Sequence, residues 1–229
     1  MASEHVLPID EFNVATFTYK EIEGQPVLLD LLVPKDLPSG EMPLLIRFHG
    51  GFLVYGSRDN TQLTPPRILY YPMIDMRSDH FCKAYPKQMG QYPKIGYELV
   101  SQHLKQLPDG PQPTTRAISN LPIAMVQHGT YTSFFGDHRS LFPIECLEDN
   151  PQLALELPFI WLQHGNDDSE VPIEGSRKFV AKLRELNPQA KLRYTELEGA
   201  EHGFWSEINL VQSGEWEEGL KVLNTYLQG

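Results

Sequence analysis

The stretch from Leu157 to Phe204 constrains the fold more than any other part of the chain. It reads LPFIWLQHGNDDSEVPIEGSRKFVAKLRELNPQAKLRYTELEGAEHGF, a strand, an acidic loop, a helix, a strand and a histidine loop. Phe159 to Gln163 is a short apolar run between Pro158 and Gly165, the pattern of a buried strand. From Ile173 to Leu186 the apolar residues Ile173, Phe179, Val180, Leu183 and Leu186 recur at helical spacing with Lys and Arg between them. Lys191 to Leu197 reads as the next strand, ended by Gly199. Asp167 and Asp168 therefore follow the carboxyl end of one strand, and His202 that of the next. In open parallel α/β sheets, ligands and chemistry collect at this edge.

The segments HGNDDSEVP and EGAEHGF resemble the acid loop and the histidine loop of the α/β-hydrolase fold, and they come in that family's order. His49-Gly50-Gly51 resembles the oxyanion motif of its esterase, lipase and prolyl-peptidase branches. The resemblance runs from the first hairpin to the last helix with the centre missing. It implies an α/β fold: a mainly parallel, hydrolase-like sheet with few strands, an N-terminal antiparallel hairpin and a small cap. Aligning Gly165, Asp168, Val171 and Pro172 with the acid-loop pattern makes Asp168 the acid and leaves Asp167 in a variable slot. His202 is then the base. The acid would hold the imidazole in the tautomer that leaves one nitrogen free and would stabilise the imidazolium. Gly50 and Gly51 would supply oxyanion donors, since backbone N–H groups point into a site only where no Cβ blocks them. His164 is expected to pack or hydrogen-bond within the acid loop. Glu198 and Glu201 are expected to be solvated.

Upstream, Phe12 to Lys20 and Val27 to Val33 are β-rich runs around Glu23-Gly24-Gln25-Pro26, a hairpin signal. Leu44 to Phe48 reads as a buried strand running into His49. Arg67 to Tyr71 reads as another, after a segment in which Pro65-Pro66 excludes a helix. Residues 77–144 have the character of a cap or lid inserted in one domain spanning 1–229. Helical spacing shows there at Ile95, Leu99, Val100, His103 and Leu107, and Leu121 to Gln127 is a second apolar segment, read as a short helix. Tyr70, Tyr71, Tyr131, Phe134 and Phe135 line a pocket or belong to the core. A terminal amphipathic helix runs from Glu215 to Leu227, with Trp216, Leu220, Leu223 and Leu227 on its apolar stripe.

The resembling families carry two further βα units, about 60 residues, between the oxyanion strand and the strand at Arg67, and the second holds the G-x-S-x-G nucleophile elbow. No serine here has that setting. Ser57 follows Gly56 but precedes Arg58 and Asp59; Ser176 follows Gly175 but lacks the second glycine; Ser133 is not flanked by glycines. Neither Cys82 nor Cys146 lies in a G-x-C-x-G setting. Three expectations stand: a weakly active or inactive esterase-like hydrolase, a non-catalytic relative that binds a small ligand or a protein partner, or a shortened product of a longer hydrolase.

With 19 Lys and Arg against 30 Asp and Glu, the formal charge is −11, which disfavours nucleic acid and anionic membranes as partners. Two cysteines without metal or redox spacing suit a reducing compartment, and the N-terminus lacks signal-peptide character, so a cytoplasmic protein is expected. His138 and His164 form no metal-binding pair; no metal and no cofactor are expected. The expected partner is a small ester or acyl compound, with the oligomeric state open.

Overall fold

The computed structural model describes residues 12–22, 24–36, 50–53, 68–107, 120–204 and 214–227. In chain order its elements are β1 (Phe12–Ile22), β2 (Gln25–Pro34), β3 (Ile68–Tyr70), α1 (Asp79–Cys82), α2 (Glu98–Gln106), α3 (Leu121–Gln127), α4 (Tyr131–Phe135), α5 (Pro143–Asp149), α6 (Leu153–Glu156), β4 (Ile160–Gly165), α7 (Glu174–Leu186), β5 (Leu192–Leu197) and α8 (Gly214–Leu227), with a short 3-10 turn at Arg139–Leu141. They fall into two compact units, Met1–Pro66 with Glu98–Pro122, and Arg67–Tyr97 with Ile123–Gly229. The segment expected as an insertion is divided between the two. The expected strand from Leu44 to Phe48, together with His49 and Ser57, lies outside the described residues.

In the first unit β1 and β2 pair antiparallel, with Phe17 opposite Leu29 and Ile22 opposite Gln25. Gly24 closes the turn at φ +76°, a left-handed conformation that glycine adopts without steric cost. A bulge between Thr18 and Lys20 leaves Tyr19 as the extra residue. The Thr16 hydroxyl donates to the Asp30 carboxylate across the strands at 2.6 Å.

The second unit is built on a parallel sheet in the order β3-β4-β5, with Leu162 of β4 opposite Leu69 on one side and Tyr194 on the other. As the middle strand, β4 has its main-chain groups paired on both edges, and its side chains alternate between two apolar layers. Leu162 packs with Ile74, Leu147, Phe179, Val180 and Leu183, so α7 and α5 cover that face. Phe159 and Trp161 pack with Leu223, flanked by Tyr70, Leu220 and Val222, which places α8 on the opposite face. At Gly219 an added Cβ would run into the Trp161 ring, so the glycine sets how closely α8 approaches the sheet. The expected stripe is therefore seen at Leu220 and Leu223, while the side chains of Trp216 and Leu227 lie outside the described set. An α/β chain with an antiparallel hairpin and a parallel sheet, as expected from the sequence, is what these residues form.

Helix α2 starts at Glu98, three residues after the Ile95 expected to begin it. The reason is local: the Ile95 amide donates to the Gln127 side-chain oxygen at 2.8 Å, and the His128 ring bonds the Ile95 carbonyl at 2.8 Å. Lys87 likewise donates to the Lys83 and Val126 carbonyls at 2.5 and 2.6 Å, and burial lowers its pKa to about 8. These bonds tie 83–97 to the end of α3. Cys82 and Cys146 are free thiols. No helix among the described residues is long and apolar enough to cross a membrane.

Candidate active site

Two loops leave the carboxyl ends of adjacent parallel strands, the acid loop after β4 and the histidine loop after β5. They are stitched together by backbone. The Asn166 amide donates to the Leu197 carbonyl at 3.0 Å and the Asp167 amide to the Ala200 carbonyl at 3.2 Å. Gly165 allows this approach, because any Cβ there would collide with the Ala200 carbonyl. Side chains add to it. Asn166 donates to Glu198 at 2.7 Å and accepts from the Gly199 amide at 2.8 Å. Glu201 accepts from the Ser169 amide at 2.6 Å and the His202 amide at 2.8 Å. Glu198 and Glu201, expected to be solvated, are exposed and in addition clamp the two loops; a carboxylate on a short loop can reach amides that sequence spacing does not reveal.

Asp167 is exposed, whereas the Asp168 carboxylate is fully buried. Asp168 Oδ1 accepts from the amides of Glu170 and Val171 at 3.0 and 2.8 Å, an Asx turn that fixes the side chain over its own loop. His202 Nδ1 approaches its Oδ2 at 2.9 Å and Oδ1 at 3.2 Å. On the far side, His164 Nε2 lies 3.4 Å from Oδ2. Burial by itself pushes the Asp168 pKa up, but the bonds from His164, His202 and the Val171 amide outweigh it and hold the pKa at about 2. Asp168 is therefore an anion across the physiological range. With Nδ1–H directed at that anion, the tautomer assigned by hydrogen bonding leaves Nε2 of His202 as the basic atom.

The surroundings of His202 include groups that the motif alone did not single out. The Tyr71 ring centroid lies 4.1 Å from the imidazole and meets Phe204 edge-on at 5.4 Å. Tyr71 has φ +34°, a conformation unusual for a residue with a Cβ, stabilised by its amide donating to the Gln163 carbonyl at 2.8 Å. Glu170 Oε2 stands 3.7 Å from His202 Nε2. Burial raises the Glu170 pKa, the nearby His202 opposes this, and the negative charges of Asp168 and Glu201 add to it. The Glu170 carbonyl accepts from His80 at 2.9 Å, and the Ser169 hydroxyl accepts from the Gly90 amide at 2.7 Å, so the segment after β3 rests on the acid loop. The signal for Glu170 was present in the sequence only as its place two residues after the acid.

The structure thus brings Asp168 and His202 together. Gly50 and Gly51 belong to the first unit; Gly51 has φ +121°, followed by Phe52 and Leu53 at +53° and +61°. A groove of about 330 Å³ in the second unit is lined by residues including Asp75, His80, Tyr85, Pro172 and Lys178, and His202 is not among them. An Asp75–Lys178 ion pair crosses its lining. No group of three or more His, Cys, Asp or Glu among the described residues is arranged to hold a metal ion.

No family model matches the chain. The probable carboxylesterase M8 of Phoma sp. is 33% identical over 82 residues, covering 34% of this chain and 25% of that protein. The non-reducing polyketide synthase stbA of Stachybotrys bisbyi is 36% identical over 59 residues, 26% of this chain and 3% of its own. The matched stretches span a quarter or less of these relatives' lengths. Among solved structures, a thermostable esterase aligns with 93% of this chain and 63% of its own, at a TM-score of 0.38 and 21% identity.

Proposed function

We propose that this chain is an esterase-like hydrolase acting on a small carboxylic ester or related acyl compound, with His202 as base and Asp168 as its orienting acid. The observation that carries the reading is the 2.9 Å contact of His202 Nδ1 with a fully buried carboxylate, made between the loops after two adjacent parallel strands. The partial similarity to a probable carboxylesterase supports the substrate class. Gly50 and Gly51 are proposed as donors to the developing oxyanion, and 77–144 as a cap. The proposed chemistry uses no cofactor.

Since no serine or cysteine of the sequence has an elbow setting, the base acts on water. His202 Nε2 takes a proton from a water molecule as its oxygen bonds to the acyl carbon. The tetrahedral oxyanion then collapses, the bond to the alcohol oxygen breaks, and the imidazolium returns the proton to that oxygen. Asp168 stabilises the imidazolium throughout. Without a covalent acyl intermediate, turnover is slow.

A second reading, a non-catalytic relative that binds a small ligand or a protein, is favoured by one feature. Among the described residues, a Glu170 carboxylate oxygen stands 3.7 Å from Nε2, and an anion beside the imidazole suits holding a ligand. Intact mass after treatment with a fluorophosphonate, with peptide mapping and a His202→Ala control, tests the absence of a nucleophile. The expected result is an unlabelled, folded chain. Stoichiometric labelling of one serine that depends on His202 would overturn the water mechanism and identify the nucleophile.

A further inference from the structure

The Asp168 carboxylate faces two imidazoles, and only His202 belongs to the mechanism above. The other, His164, is the fifth residue of β4 and is fully buried, as is the carboxylate it approaches at 3.4 Å. Its two ring nitrogens are both engaged. Nε2 lies 2.8 Å from the Val171 carbonyl and Nδ1 lies 2.7 Å from the Ser176 hydroxyl. A carbonyl only accepts, so Nε2 carries the hydrogen; in the neutral ring Nδ1 then accepts from Ser176. The Val171 carbonyl therefore selects the tautomer, and the Ser176 hydroxyl, donating to Nδ1, holds the ring in the plane that turns its N–H toward that carbonyl and the Asp168 side.

Ser176, His164 and Asp168 are the residue types of a nucleophilic triad, yet they are not one. Ser176 and His164 are both 0% exposed, so no substrate reaches them. The arrangement does something else for the acid. Oδ1 of Asp168 is held by the amides of Glu170 and Val171, and Oδ2 faces His202 on one side and His164 on the other. With donors on both oxygens, the carboxylate has one orientation, and a buried anion has little of its charge left unpaired.

We propose that His164, fixed by Ser176, is a positioning residue that holds the Asp168 carboxylate against His202. Its importance for hydrolysis rests on the esterase-like reading; the line of contacts from Ser176 through His164 and Asp168 to His202 does not.

The test is side-chain proton–nitrogen NMR on the full chain labelled with 15N-histidine. The downfield Nδ1–H signal of His202 is assigned by its loss in His202→Ala. A glutamine at 164 places its amide nitrogen near the position of Nε2, whereas an asparagine reaches only that of Nδ1. The expected result is loss of the His202 signal in His164→Asn, its retention in His164→Gln, and a changed position in Ser176→Ala. A His202 signal unmoved in Ser176→Ala and in His164→Asn would overturn the proposal and leave His164 as packing alone. Should His164→Asn not fold, Ser176→Ala decides, since it removes one hydroxyl: a displaced signal supports the relay and an unmoved one refutes it. Failure of the esterase-like reading would show separately, as equal ester hydrolysis by the wild-type chain and His202→Ala.

Discussion

Asp168 illustrates how a single buried carboxylate links stability to the site. Its ordinary pKa of about 3.9 in an unfolded chain drops to about 2 in the folded one, because histidine and amide donors outweigh burial. The unfolded state therefore takes up the proton first as pH falls. The stabilisation, on the order of 2 kcal/mol, is complete above about pH 4 and is lost as pH falls through about 2. Urea midpoints measured from pH 6 down to pH 2 should fall in that window for the wild-type chain, and Asp168→Asn should flatten that part of the profile. At this scale the sequence was informative where a motif fixes roles: HGNDDSEVP separated Asp168 from Asp167, and the structure buries the first and exposes the second. It said nothing of Glu170, and neither the amides that Glu201 holds nor the imidazole that Ser176 meets could be read from it. Their partners lie in a neighbouring loop or strand, and no spacing rule reports which carboxylate turns inward.

Among the elements, the glycine at the end of β4 decides whether the two loops can meet. Gly165 sits against the Ala200 carbonyl, and the stitching bonds of Asn166 and Asp167 depend on that approach. Gly165→Ala should cost about 1–3 kcal/mol in stability, read by thermal unfolding, and should weaken the His202–Asp168 contact by moving the histidine loop outward. The strands and long helices were legible because burial imposes a period: β4, β5, α7 and α8 lie within three residues of where apolar spacing put them. The short helices α1, α4, α5 and α6 were not. Each has seven residues or fewer and, unlike the apolar run of α3, no continuous apolar segment to mark it, and tertiary contacts such as Phe81 against Tyr131 hold them rather than propensity. Helix α2 shows the converse, a helical period cut short because Gln127 and His128 capture the backbone of Ile95.

At the level of the whole molecule, stability is unevenly distributed. The central strand β4 is buried along nearly its whole length between α7 and α8, whereas Val14 and Phe17 on the hairpin are each 50% exposed. Native-state hydrogen exchange should find the slowest amides in β4 and the fastest paired amides in β1 and β2. The resemblance implied a mainly parallel sheet with few strands, since the chain between Gly51 and Arg67 is barely long enough for one crossover and Pro65-Pro66 spoils a helix there. On the proposed reading, the parallel sheet and its two loops present His202 as a base. The most direct test is hydrolysis of a short-chain p-nitrophenyl ester by the wild-type chain and by His202→Ala, both shown to be folded. A positioned general base predicts a wild-type rate roughly 100-fold or more above that of the variant. Equal rates would contradict that reading and leave the Asp168–His202 pair without a catalytic role.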